Sequence, residues 1–169
     1  MEHMEQEIKI RPIEEKDNAA LAHIIRSTLK EFGANHPGTV YYDETTDRLS
    51  TLFNVHGGVY FVAEMNDEIL GGGGIFPTAG LPADTCELVK MYLLPQSRGK
   101  GLGIALLNKC IDFARGHGYK NIYLESMPEL ARAVKLYEKM GFKKLNAPMG
   151  QSGHFGCGIW MMLDLNGNI

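Results

Sequence analysis

Residues 95–103 read Pro95-Gln-Ser-Arg-Gly-Lys-Gly-Leu-Gly103 and lie between an apolar, strand-like run and an amphipathic helix. Glycine lets the main chain approach an anion closely and adopt positive φ angles. The helix that follows adds unpaired N–H groups and the positive end of its dipole. Each glycine in a helix costs about 1 kcal/mol relative to alanine. Three glycines at the start of a helix therefore need a reason other than starting the helix. The stretch therefore predicts a backbone loop that binds a phosphate-bearing cofactor.

Two common phosphate-binding motifs fit this stretch less well. A Walker loop requires Gly-x4-Gly-Lys-Ser/Thr, and the chain contains no such string. A dinucleotide fingerprint requires Gly-x-Gly-x-x-Gly; Gly99 and Gly101 match it, but the third position is Ile104. Too little chain follows for the further strand–helix units of that fold. A nucleotide-dependent oxidoreductase therefore stays open as the weaker alternative.

The composition is that of one globular domain spanning residues 1–169. The net charge of −3 argues against a protein that coats nucleic acid, and no apolar run is long enough to span a membrane. Three scattered cysteines, Cys86, Cys110 and Cys157, indicate a cytoplasmic protein without a disulfide framework. The polar residues 1–7 are unlike a signal peptide, and the sequence does not decide whether Met1 or Met4 is the native start.

Hydrophobic periodicity predicts the element order β-α-α-β-β-β-α-β-α-β-β, which is a mixed α/β sheet with helices on both faces. The predicted strands cover 8–11, 59–64, 69–76, 85–94, 119–125, 142–145 and 156–165. The predicted helices cover 17–32, a segment from about 43 to 53, 101–115, and 128–140. Four consecutive glycines, 71–74, interrupt the third strand and suggest room for an acceptor or a cofactor.

Three segments together resemble the GNAT superfamily of N-acetyltransferases. Gln96–Gly101 resembles its Gln/Arg-x-x-Gly-x-Gly/Ala signature, and Cys86–Pro95 is similar to its fourth strand. Ala133–Phe142 resembles its Ala-x-x-Leu-Tyr-x-x-x-Gly-Phe segment. The resemblance implies a mostly antiparallel sheet of six to seven strands that splays between strands 4 and 5. It also implies transfer of acetyl from acetyl-CoA to a small-molecule or peptide amine, by direct attack in a ternary complex.

The resemblance assigns cofactor contacts to two neighbouring segments. The pantetheine arm would pair with the fourth strand like an added strand, and an N–H near Leu93 would polarise the thioester carbonyl. The pyrophosphate would lie on the amides of the glycine loop. The implied cofactor-binding residues are Met91, Tyr92, Leu93, Arg98, Gly99, Lys100, Gly101, Leu102, Gly103 and Ile104. Family members often have an asparagine where this chain has Leu130, so one side-chain contact to the arm is missing.

Two proton transfers accompany the implied reaction. Tyr137 matches the family tyrosine that protonates the leaving thiolate, and its ring can also belong to the core. Glu87 and Glu125 each resemble a glutamate base of one branch of the family. If strand alternation holds, Glu87 shares a face with Val89, Met91 and Leu93, and burial on that face would raise its pKa. The sequence does not choose between the two glutamates.

The acceptor contacts and the metal content follow from weaker signals. In this family the first helices and the last hairpin form the acceptor pocket, which makes Phe32, Tyr41, Tyr42 and His154 candidate substrate contacts. His154 and Cys157 supply only two ligands where zinc needs three or four, so we expect no metal. A catalytically inert acetyl-CoA sensor is the alternative function. We expect neither nucleic acid nor membrane as a partner, and a homodimer only by analogy with relatives.

Overall fold

The computed structural model describes residues 7–166. Seven strands and four helices follow one another in the predicted order. The strands are β1 (Ile8–Pro12), β2 (Val59–Met65), β3 (Glu68–Phe76), β4 (Thr85–Leu93), β5 (Asn121–Ser126), β6 (Lys143–Leu145) and β7 (Ile159–Asp164). The helices are α1 (Asn18–Glu31), α2 (Leu49–Leu52), α3 (Leu102–His117) and α4 (Ala131–Lys139), with short 3-10 turns between several elements. No helix among the described residues is long and apolar enough to cross a membrane.

The strands form one sheet in the order β1-β2-β3-β4-β5-β7-β6. Within residues 7–166 every pairing is antiparallel except that of β4 with β5. These two strands pair only from Thr85 opposite Asn121 to Glu87 opposite Tyr123, and then separate. The predicted fold class, including the splay between strands 4 and 5, is confirmed. A sheet with one parallel pair does not support the dinucleotide-binding alternative, which needs a doubly wound parallel sheet.

The helices cover both faces because alternate residues of the strands face opposite sides. In β2, Tyr60 and Val62 pack with Leu21 and Ile25 of α1. Ala63 on the opposite face packs instead with Leu102 and Leu106 at the start of α3. Farther along the sheet, Ile122 and Leu124 of β5 pack with Leu107 of α3 and Val134 of α4. The gap between β4 and β5 is therefore enclosed by helices on both sides of the sheet.

A β-bulge interrupts β4 beside the gap. Gly72 pairs with Tyr92 and Gly74 pairs with Val89, so Lys90 and Met91 together face Gly73. Lys90 has a φ of 53°, which is a conformation that few residues other than glycine adopt. The bulge reverses the face of the sheet on which the following side chains lie. Met91 packs on the α3 side of the sheet, while Val89 packs on the α1 side.

The prediction that Glu87 shares a face with Met91 and Leu93 is therefore wrong. Glu87 alternates with Cys86 and Leu88, which pack on the α3 side, and so it lies with Val89 on the α1 side. Leu93, like Met91, packs on the α3 side. The assumed strict alternation failed because one extra residue was inserted in the strand.

The space beside the glycines of β3 is filled by other side chains and main-chain atoms of the protein. A Cβ on Gly72 would lie 2.5 Å from the Tyr60 ring, and one on Gly74 would lie 2.8 Å from the Phe53 ring. On Gly73 it would lie 3.0 Å from Met91 Cγ. None of these glycines lines the cavity described below. The expectation that they leave room for acceptor or cofactor is wrong, because aromatic rings and the bulge of β4 fill that space.

Candidate active site

A cavity of about 600 Å³ occupies the gap that opens beyond the last β4–β5 pair. Its floor is β4 from Glu87 to Leu93, and its far wall is β5 from Leu124 onward. It reaches the start of α3 at one end and His154 of the β6–β7 connection at the other. The cavity thus joins the glycine loop, the splayed strands and the predicted catalytic side chains in one space.

The glycine loop presents free backbone donors to this cavity. Gly99 and Gly101 both have a φ of 78°, and a Cβ on either would meet nothing within 4 Å. The N–H of Ala105 donates to the carbonyl of Gly101 at 3.1 Å and closes the first turn of α3. The N–H groups of Leu102 and Ile104 precede that turn and have no partner in the helix. This geometry suits an anion at the N-terminus of a 16-residue helix.

Arg98 and Lys100 have different surroundings. The Arg98 guanidinium makes two hydrogen bonds to Glu31 at 2.7 and 3.0 Å and a third to the Leu93 carbonyl at 3.2 Å. It also lies 4.9 Å from the centre of the Phe32 ring. Arg98 and Phe32 both line the cavity, so this contact attaches the end of α1 to the loop. Lys100 is exposed and does not line the cavity.

Beyond Glu87, the edge of β4 that faces β5 has no strand partner among residues 7–166. Met91, Tyr92 and Leu93 lie along this edge and line the cavity. Those of their main-chain groups that are bonded neither to β3 nor, like the Leu93 carbonyl, to Arg98 are therefore available to an extended ligand, as strand addition requires. Gly103, also predicted to contact the cofactor, lies at the start of α3 and lines the cavity too.

Tyr137 extends from α4 to the wall of the same cavity. Its side chain is 7% exposed, and its ring centre lies 5.7 Å from that of Phe142. Burial is the main cause that raises the pKa of Tyr137 far above its ordinary value, and the nearby Cys110 adds to it. The hydroxyl is therefore protonated at neutral pH and can donate. The two interpretations offered by the sequence, core ring and polar tip, are compatible in this position.

The two glutamates lie close together but have different partners. Glu87 is 2% exposed, and the Thr78 hydroxyl donates to its Oε1 at 2.6 Å. Burial and the neighbouring charge of Glu125 raise the pKa of Glu87 to about 7. Glu125 accepts hydrogen bonds on both oxygens, from Tyr123 at 2.8 Å and from Ser152. Glu87 is thus the carboxyl that changes its protonation near neutrality, while Glu125 has both oxygens engaged.

His154 connects this pair to two residues that the sequence did not indicate. Its Nε2 lies 2.7 Å from Asp43 Oδ2, and its Nδ1 lies 3.8 Å from Glu125 Oε1. Lys90 Nζ donates to the same Asp43 oxygen at 2.9 Å. Burial alone would lower the pKa of His154, but the bond to Asp43 and its charge outweigh burial and raise it. Burial likewise opposes ionisation of Asp43, yet His154 and Lys90 hold its pKa below the ordinary value.

The predicted aromatic contacts divide into two groups. Phe32 and His154 line the cavity, whereas Tyr41 and Tyr42 do not. Tyr42 is 60% exposed and packs edge-on against Tyr41, with ring centres 5.1 Å apart. The connection between α1 and α2 instead places Asp43, the next residue, against the site. The signal that could have identified Lys90 was a lysine between the apolar residues Val89 and Met91 of β4.

The sequence expectation of no metal considered His154 with Cys157. The structure groups His154 instead with Glu87 and Glu125, and one donor atom from each lies within 4.8 Å of the others. Such a group could ligate a cation. Because the carboxylates already accept hydroxyl hydrogen bonds and Nε2 is bound to Asp43, we interpret the group as a proton-transfer network.

The cysteines are all buried and free, so the expected absence of a disulfide framework holds for residues 7–166. Cys157 lines the cavity, but burial and then the nearby carboxylates raise the pKa of its thiol to about 12. Burial similarly raises the pKa values of Cys86 and Cys110 to about 12. Since the thiolate is the reactive form, none of the three is suited to act as a nucleophile at neutral pH.

Comparisons with known proteins agree with this geometry. The chain is 39% identical over 151 residues to the N-acetyltransferase YjgM of Escherichia coli K12, covering 89% of this chain and 90% of that protein. A GNAT-family acetyltransferase of Staphylococcus aureus has the same fold, with a TM-score of 0.80 and 20% identity over 94% of this chain and 99% of that one. The structure of yncA from Salmonella typhimurium with its cofactor acetyl-CoA has a TM-score of 0.73 and 27% identity, covering 96% of each chain.

The model of the acetyltransferase (GNAT) family matches residues 21–142. This range contains the glycine loop, the splayed strands and Tyr137, and therefore all three segments on which the sequence resemblance depended. The prediction of an acyltransferase of this type is confirmed, and the chain belongs to the acetyltransferase (GNAT) family.

Proposed function

We propose that this protein transfers the acetyl group of acetyl-CoA to a small-molecule or peptide amine by direct attack in a ternary complex. The observation that carries the proposal is the continuous cavity, which joins free helix N-terminal donors to Glu87 and Tyr137 along an unpaired strand edge. Acetyl-CoA is long, with a diphosphate at one part and a thioester at its tip. A cavity with an anion-binding turn at one end and proton-transfer groups at the other matches that order of chemical groups.

The cofactor would bind chiefly through the backbone. Its diphosphate would accept hydrogen bonds from the amides between Gly99 and Ile104, which the helix leaves unpaired. Its pantetheine arm would pair with the edge of β4 from Met91 to Leu93, and a strand N–H near Leu93 would polarise the thioester carbonyl. Arg98 is already paired with Glu31, so its main contribution is to hold the loop against α1.

Glu87 is the better candidate for the base. An acceptor amine must lose its ammonium proton before it attacks, and a carboxylate with a pKa of about 7 accepts that proton efficiently at neutral pH. Glu125 would act through its fixed negative charge, which is one of the causes that raise the pKa of Glu87. The structure therefore favours one of the two glutamates between which the sequence left the choice open.

The chemical step needs no enzyme nucleophile. Glu87 first passes the ammonium proton to solvent. The amine lone pair then attacks the thioester carbon, the carbon–sulfur bond breaks, and the amine's second proton passes to the regenerated Glu87 carboxylate or to water. The departing thiolate takes the proton of the Tyr137 hydroxyl, which burial keeps neutral. The products are the acetylated amine and free CoA, and Tyr137 regains its proton from solvent.

The decisive experiment is an acceptor screen with acetyl-CoA and colorimetric detection of the free thiol. We expect amine-dependent CoA release with at least one class of primary amine, and a product heavier by one acetyl group. The Glu138→Gln variant is a matched control, because Glu138 is a surface carboxylate on α4 that pairs with Lys144 and does not line the cavity. Tight acetyl-CoA binding without release for any amine would indicate the inert sensor and contradict the proposal.

A further inference from the structure

The apolar face of α1 contains one hydroxyl where the helix leaves the packed core. Leu21, Ile25 and Leu29 of this face pack against the sheet. Thr28 and Phe32, at the C-terminal end of the face, line the cavity instead. Of the two residues that this end of α1 places in the cavity wall, Thr28 carries the polar side-chain atom.

That atom has no hydrogen-bond partner. Thr28 is 5% exposed, and its Oγ1 is the one buried side-chain nitrogen or oxygen in residues 7–166 without a bond. The neighbouring Ser27 hydroxyl, by contrast, donates to the carbonyl of Ile24 at 3.2 Å. Buried polar groups are nearly always paired in native proteins, and an unpaired one destabilises the fold. A valine would fill the same volume without that penalty, so the hydroxyl calls for a functional explanation.

We infer that the Thr28 hydroxyl hydrogen-bonds a neutral polar group on the acceptor, next to its reacting amine. This inference rests on the proposed function and specifies its substrate class. The hydroxyl can donate or accept, so it suits an amide or a hydroxyl on the acceptor. Thr28 lies on the α1 side of the sheet, the side on which Glu87 also lies, and one turn before Phe32, which contacts Arg98 of the glycine loop.

The charges of this wall do not favour an acidic acceptor. The basic side chains that β4 and the glycine loop place in the wall, Lys90 and Arg98, are each paired with a carboxylate, Asp43 and Glu31. A carboxylate on the acceptor could therefore pair with neither of these two cations without breaking an existing ion pair. Val40 and the ring of Tyr92 add apolar surface to the cavity wall. An amine with a short body and a neutral amide fits these surroundings best.

The test compares wild type with Thr28→Val and Thr28→Ser, using glycinamide, β-alaninamide and the corresponding alkylamines as acceptors. We expect Thr28→Val to raise the KM of an amide acceptor about tenfold, which is the effect of losing one hydrogen bond. The KM values of acetyl-CoA and of the alkylamines should stay within about twofold of wild type, and Thr28→Ser should restore amide use. The melting temperature of Thr28→Val should equal or exceed that of wild type, since the variant removes an unpaired buried group.

Two outcomes would overturn the inference. An unchanged KM for the amides would show that the hydroxyl has no part in acceptor recognition. A rise in the KM of acetyl-CoA alone would assign the hydroxyl to the cofactor.

Calorimetric titration of glycinamide into the CoA-bound protein separates this inference from the proposed function. Glycinamide that binds wild type more tightly than Thr28→Val, without turnover, would support recognition and contradict catalysis. Turnover with identical amide KM values in both proteins would support catalysis and contradict recognition. Neither binding nor turnover of any amide would contradict the inferred substrate class.

Discussion

Replacing Glu87 by Gln removes a buried carboxyl whose pKa the fold raises to about 7. Gln has nearly the same volume, and its carbonyl oxygen can still accept the hydrogen bond from Thr78. The substitution therefore changes the charge and the basicity of this position while leaving its packing in place. Both the catalytic rate and the pH dependence of stability should respond, in ways that can be measured separately.

The expected rate effect follows from the role of the base. General-base catalysis contributes about 10²–10⁴-fold, so Glu87→Gln should lower kcat/KM at least a hundredfold. With a weakly basic amine, which is neutral throughout, wild-type kcat/KM should rise with pH up to about 7 and then level off. This bend in the pH profile of kcat/KM should vanish in Glu87→Gln. It should move to lower pH in Glu125→Gln, because the charge of Glu125 helps to raise the pKa of Glu87.

The stability effect has a definite sign. The folded protein holds the Glu87 proton more tightly than the unfolded chain, whose ordinary pKa is 4.5. The contribution of Glu87 to stability is therefore fully present below about pH 4.5 and is lost as the pH rises through 7. The full difference between the two pKa values corresponds to about 3 kcal/mol as an order of magnitude. Urea unfolding at about pH 8 should thus find Glu87→Gln more stable than wild type, with the difference shrinking in acid.

The assays combine initial rates from thiol release with urea unfolding over the same pH range, and Glu138→Gln serves as the surface control. A bend near pH 7 that persists in Glu87→Gln and disappears in Glu125→Gln would make Glu125 the base. Wild-type rates in Glu87→Gln, or a variant less stable than wild type at pH 8, would refute the reasoning from burial.

Three further predictions concern separate parts of the site. Tyr137→Phe should lower kcat about tenfold to a hundredfold and leave the acetyl-CoA Kd within about twofold; an unchanged kcat would remove Tyr137 from the mechanism. Gly101→Ala and Gly118→Ala should each cost about 1–2 kcal/mol in urea unfolding, because both positions have positive φ and open space. Only Gly101→Ala should weaken acetyl-CoA binding in calorimetry, and native affinity would contradict the role of the loop. Asp43→Asn should lower the pKa of His154, measured by NMR titration of the imidazole, since Asp43 raises it; an unchanged pKa would contradict the pairing of Asp43 with His154.

The sequence predicted the fold well because the periodicity of this chain is strong and local. Leu102, Leu106 and Cys110 repeat on one face of α3, and glycine ends that helix at Gly118. The element order and the splay followed from such patterns together with the family resemblance. The prediction that Glu87 shares a face with Met91 and Leu93 failed for a local reason. The residue types near Lys90 give no sign of a bulge in the strand. The homodimer and the cytoplasmic location stay predictions.

Some of the residues that line the cavity could be predicted from the sequence and others could not, for a physical reason. Residues that act through the backbone or belong to a motif, such as Gly101 and Tyr137, can be found by pattern. Asp43 could not, because its role depends on a contact with His154 across 111 positions of the chain. The side of the cavity that we propose for the acceptor is built from such long-range contacts, which is why sequence pattern indicated the aromatic residues beside Asp43 and not Asp43 itself.

The bulge of β4 links the two halves of this site. It lies in the part of β4 beyond its last pairing with β5 and directs Lys90 to the α1 side, where Nζ meets Asp43 at 2.9 Å and the Tyr60 hydroxyl donates to the Lys90 carbonyl at 2.8 Å. A positive φ at a lysine is strained, so these bonds must hold it in place. Since Asp43 also binds His154, one carboxylate contacts both the bulge of β4 and the predicted acceptor contact. We therefore expect cofactor binding and acceptor recognition both to depend on the ion pair of Lys90 with Asp43.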